Sequence, residues 1–309
     1  MHDLKGSLRK HPLPWYYGMT FLLSWGAIVL AVWVVTGGLS PTPEQFQLTI
    51  PVTVPAMLLG PALASLVLTG IVAGRAGYRD LWARLLAWQV GGRWYLFALL
   101  AAPLTLAVPV LVLWLSSLDY APRIATEPDR AGTLVTAVVL GLGVGLLEEI
   151  GWTGFAVPRA RQHHSVLWTG LLVGVLWGAW HFFVNYWGGG GTNGGVPLGI
   201  FMSLWLVSVL VGQLTAYRVL MVWVYDHTGS VLVAALMHAS LAAFQFILNP
   251  LTPGVPQQVY PWGQAAAMWL LVGAVALTSR EEMTGPRRFL PIHVRSRHRP
   301  PRRSPRRRR

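Results

Sequence analysis

The 309-residue chain contains no cysteine. That excludes disulfides, a thiolate nucleophile, a cysteine-ligated metal and lipid attachment through cysteine. Charge is also scarce, at 11% of residues against roughly 25% in a soluble domain. No H-E-x-x-H occurs, so the usual helical zinc site is missing. No serine sits in G-x-S-G. The five aspartates (Asp3, Asp80, Asp119, Asp129, Asp226) fall outside the apolar runs, which excludes an intramembrane aspartyl pair. What the chain has in abundance is apolar surface: 54% hydrophobic residues and 16 tryptophans, with a mean hydropathy of +0.50. This balance implies a polytopic membrane protein.

The net charge of +13 is local. Gly285–Arg309 holds 11 arginines and no acid, and removing these 11 charges from +13 leaves +2 for the other 284 residues. This tail has little capacity to form a core. It reads as a disordered cytoplasmic segment near anionic lipid headgroups rather than a nucleic-acid binder.

A helix crosses the hydrocarbon with about 20 residues. Apolar runs predict eight spans, near 16–37, 53–74, 94–117, 134–157, 166–187, 198–217, 230–249 and 261–279. The fold class is therefore all-α, a bundle of about eight transmembrane helices. Residues 1–15 form an N-terminal segment, 16–131 the first helices with an interfacial helix near 77–92, and 132–246 a central core. Residues 247–279 form the last span and 280–309 the basic tail. Lys5, Arg9, Lys10, Arg75, Arg79, Arg84, Arg93, Arg159, Arg161 and Arg218 fall in alternate connections. Both termini are thus expected in the cytoplasm, with a bacterial plasma membrane as the setting. GGGGTNGG (Gly188–Gly195) reads as a flexible external loop. His163 and His164 read as solvated loop residues.

Inside the predicted spans the ionisable residues are Glu148, Glu149, His181 and His238. A carboxylate at membrane depth costs roughly 2.5–3.5 kcal/mol on insertion scales, so an adjacent pair signals chemistry or ion movement. Small residues flank all four. Gly141, Gly145 and Glu149 lie at i, i+4, i+8. Gly170, Gly174 and Gly178 lead to His181, and Ala234, Ala235 and Ala242 surround His238. Such faces let membrane helices approach closely. Two carboxylates and two imidazoles suit general acid–base hydrolysis of a peptide bond. The same set can hold zinc, with Glu148, Glu149, His181 and His238 as candidate ligands. It can also form the proton relay of a transporter, or a structural Glu–His tie between helices.

Three blocks carry a resemblance: EEIGWTGFAVPRARQ (Glu148–Gln162), VLWGAWHFF (Val175–Phe183) and RVLMVWVYDHTGSVLVAALMHAS (Arg218–Ser240). They resemble, in order and spacing, the signature motifs of the CPBP intramembrane proteases. That family comprises type II CAAX prenyl endopeptidases and the Abi bacteriocin-processing and immunity proteins. The likeness covers about Gly132–Phe246. It implies an intramembrane endopeptidase of glutamate or metallo type acting on a membrane-associated peptide or protein. Glu148 with His181 would activate water, Glu149 would orient a histidine, and His238 would face the oxyanion. The family pattern E-E-x-x-x-R has Thr153 at its arginine position, which leaves the glutamates without that countercharge. F-x-x-x-H has Trp177 as its aromatic. Ala242 stands where many members have asparagine, and Asn185 is the candidate replacement for that donor. The resemblance also admits a catalytically silent, peptide-binding immunity protein.

Overall fold

The computed structural model describes residues 2–188 and 195–285. Residues 189–194 of the glycine-rich loop, and 286–309 of the basic tail, lie outside the described residues. Among the described residues the regular structure is helical, and eight helices are long and apolar enough to cross a membrane. The chain is a multi-pass helical membrane protein.

The first span is α2 (Pro12–Thr36), preceded by the short α1 (His2–Lys10). It packs along α3 (Pro43–Leu85). A capping box starts α3: the Thr42 side chain accepts from the Gln45 amide, and the Gln45 side chain accepts from the Thr42 amide. Gly74, at φ 56° and ψ −145°, kinks α3, a conformation in which glycine alone pays no Cβ penalty. Past this kink lies the segment read as interfacial. Its Trp82 is exposed, and in the turn beyond α3 so is Trp88. α4 (Gly92–Trp114) follows, then the small α5 (Arg123–Thr126).

The elements that carry the candidate site residues come next. α6 (Arg130–Glu149) starts on an Asp129 cap whose side chain accepts from the Gly132 amide. It runs through a π-helical stretch at Trp152–Ala156 into α7 (Val157–Ala160). α8 (Val166–Trp180) carries the second motif and is followed by α9 (Phe182–Gly188). Then α10 (Leu198–Trp205), a π-helical stretch at Leu206–Leu214 and α11 (Thr215–Thr228) form one continuous span. α12 (Val231–Leu248), α13 (Val255–Thr278) and the short α14 (Arg280–Thr284) complete the described chain.

The glycine faces decide the pairings. A Cβ added at Gly141 would meet the Ala239 carbonyl oxygen at 2.5 Å, and one at Gly145 would strike that of Ala235. α6 therefore lies directly on α12. Gly170 and Gly174 face the Cα atoms of Val219 and Thr215, so α8 lies on α11.

One expectation is corrected here. The sixth span does not end near residue 217: helix continues to Thr228, and Arg218 is fully buried rather than in a basic connection. Arg161, also expected in a solvated connection, is 1% exposed and forms a two-point pair with Asp226, both contacts at 2.9 Å. Ionic side chains can stay inside a membrane bundle when they pair, and neither partner is visible from local hydropathy.

Candidate active site

The sharp end of α6 places two carboxylates side by side on a buried face. Glu148 is 2% and Glu149 0% exposed. Their surroundings differ. Glu149 is saturated: Oε1 meets His238 Nδ1 at 2.7 Å, while Oε2 accepts from Arg218 Nη1 at 2.8 Å and from the Thr153 hydroxyl. Glu148 Oε2 accepts one bond from Trp177 Nε1 at 2.8 Å. Its other oxygen has no protein donor among the described residues.

Trp177 joins the set. Its indole N–H holds Glu148, and its carbonyl accepts from His181 Nδ1 at 2.8 Å. Its ring meets His238 edge-on at 4.9 Å between centroids. The Arg218 guanidinium stacks over the same ring at 4.1 Å. The partners also fix the neutral tautomers. A carbonyl and a carboxylate only accept, so the Nδ1 of each neutral histidine carries the proton and each Nε2 presents a lone pair.

The four expected residues thus gather around one indole, with Glu149 and His238 in direct contact. Glu148 and His181 are bridged by Trp177. Asn185 lies one turn after His181, and its side-chain N–H donates to the His181 carbonyl at 2.9 Å. The Ala242 side chain brings no polar atom. On the same face of α12, Gln245 donates to Gln213 at 3.4 Å. His181, Asn185, Gln213, Gln245 and Asn249 line a cavity of about 270 Å³. Of the four ionisable residues, His181 is the one on its wall.

Arg218 joins the cluster without having been singled out in the sequence. Thr153 leaves the motif's arginine position without charge, yet Arg218 supplies a cation to the same carboxylate from a helix 69 residues away. The expectation that the glutamates lack a countercharge is therefore corrected. The one signal available was an arginine eight residues before Asp226 in an otherwise apolar stretch, and it read as a span boundary.

Zinc does not fit these residues. Among the described residues no group of three or more His, Asp and Glu side chains converges to hold a metal ion. Both Glu149 oxygens are committed, one of them to the Arg218 cation.

This arrangement defines a class: a helical membrane protein with a Glu–Glu–His–His cluster built across three spans, three of the four side chains buried and His181 partly so. Residues 130–244, from the start of α6 to late in α12, match the family model described as type II CAAX prenyl endopeptidase, Rce1-like. Over these residues the chain is similar to that protease-related family. A search of the curated proteins gave no match.

Proposed function

We propose that the protein is an intramembrane endopeptidase that hydrolyses a peptide bond in a membrane-associated protein or peptide. The observation that carries this reading is the asymmetry of the two glutamates, one saturated and one open. Glu149 acts as a positioning residue, aiming His238. Glu148 keeps Oε1 for a water molecule, which it deprotonates as that water attacks the carbonyl carbon; His181 Nε2 shares this task. The tetrahedral oxyanion is met by His238 through a proton on Nε2, with the ring aimed by its Nδ1 contact to Glu149. The proton taken from water then passes to the leaving amine. The setting is a bacterial plasma membrane with both termini in the cytoplasm.

The test is cleavage of a membrane-peptide library by the purified chain in lipid, comparing wild type with Glu148→Gln. General-base removal typically costs 10²–10⁴-fold in rate, so a loss of about that size is expected with folding intact. Equal cleavage by both proteins would overturn the assignment. A second reading, peptide capture without cleavage as in bacteriocin immunity, is favoured by Ala242, which offers no amide where the related motif has one. It predicts that Glu148→Gln leaves peptide binding and protection unchanged.

A further inference from the structure

Away from this cluster, at the end of the bundle where α1 meets α2 and α6 passes into α7, lies a larger cavity of about 740 Å³. Its charged wall comprises Arg9, Lys10, Arg84, Arg159 and a single acid, Asp80. Asp80 is already paired with Arg84 at 2.7 Å. The other three cations form no ion pair among the described residues, although the Asp80 charge also acts on Arg159. Arg9 spends its Nε on the Ile71 carbonyl, and Arg159 spends one Nη on the Phe155 carbonyl while its guanidinium covers the Phe155 ring at 3.5 Å. Both keep further N–H donors. Lys10 has no hydrogen-bond partner among the described residues. Leu13, Val72 and Pro158 line the rest of the cavity and give it an apolar side.

We infer that this crevice binds a phosphate anion, specifically the phosphodiester headgroup of an anionic phospholipid, with an acyl chain along the apolar side. Three unpaired cations converge from α1 and α7, separate elements, which a general interfacial attraction does not require. Phosphate oxygens accept several guanidinium and ammonium N–H bonds at once. The mixed wall matches a molecule that is anionic at one end and apolar at the other. Arg84 forms the floor, donating to the Gly154 carbonyl and the Tyr225 hydroxyl at 3.0 Å each.

The experiment is native mass spectrometry of the full chain released from phosphatidylcholine nanodiscs with and without phosphatidylglycerol. Wild type should retain phosphatidylglycerol in preference to phosphatidylcholine. One basic residue near an anionic surface is worth about 1 kcal/mol, so Lys10→Gln and Arg159→Gln should each lower retention about fivefold. Arg75→Gln, an exposed arginine outside the crevice, should not change it. An equal loss with Arg75→Gln would show general surface attraction and overturn the site. Displacement of the lipid by inorganic phosphate would reassign the crevice to a free anion and overturn the lipid. Lys10 is exposed and makes no hydrogen bond among the described residues, so its variant tests the site even where Arg159→Gln fails to fold.

Discussion

At the residue scale, the site depends on hydrogen bonds that a single atom change can remove. Trp177→Phe keeps an aromatic ring against His238 but deletes the N–H to Glu148. A hydrogen bond to a charged group contributes about 1.5–3 kcal/mol, so cleavage should fall by tenfold or more while the variant still folds. Unchanged activity would mean that Glu148 is not held by Trp177 in the working state. Arg218→Ala is a harsher change. It leaves Glu149 as a buried unpaired charge, and breaking such a pair costs about 3–5 kcal/mol. Thermal unfolding in detergent should show a large loss of stability. The double variant Arg218→Ala with Glu149→Gln should recover part of it. Absence of that recovery would sink the pairing as the cause.

At the element scale, the geometry rests on how closely α6 approaches α12. Glu149 can reach His238 because glycines on α6 let the α12 backbone come close. Gly145→Ala would place a methyl group against the Ala235 carbonyl and 2.9 Å from the Ala239 amide. Overpacking of this kind costs about 1–3 kcal/mol, and here it also separates the Glu149–His238 pair. The expected outcome is reduced stability with a larger loss of cleavage. Gly143→Ala is the control, because a Cβ there meets nothing within 4 Å. Equal effects of the two changes would mean that helix propensity, not close approach, sets the result. The π-helical turns at Trp152–Ala156 and Leu206–Leu214 belong to this scale too. Both fall inside spans that carry site residues, and the first brings Thr153 back onto Glu149. Such turns frequently mark functional segments of helices.

At the scale of the whole molecule, the eight candidate spans among the described residues predict that α1 and α14 lie on one side of the membrane. The natural absence of cysteine makes this directly testable. A single cysteine at Gln162, between α7 and α8, and another at Thr252, between α12 and α13, should react with a membrane-impermeant maleimide from opposite sides of sealed vesicles. Labelling of both from the same side would overturn the span assignment.

The sequence by itself determined the class of molecule, because composition and run length dictate membrane helices whatever their arrangement. It also singled out Glu148, Glu149, His181 and His238, because ionisable groups are costly in hydrocarbon and stand out there. It exposed the glycine faces, because small residues at helical spacing are a local pattern. Tertiary structure alone decided which face meets which, so that α6 lies on α12 and α8 on α11. It alone revealed Trp177 as the bridge between Glu148 and His181, and Arg218 as the countercharge of Glu149. The physical reason is the same in both cases. A buried arginine and a hydrophilic loop residue look alike in a hydropathy window. What separates them is a partner far away in the chain, and only packing brings that partner within 2.8 Å.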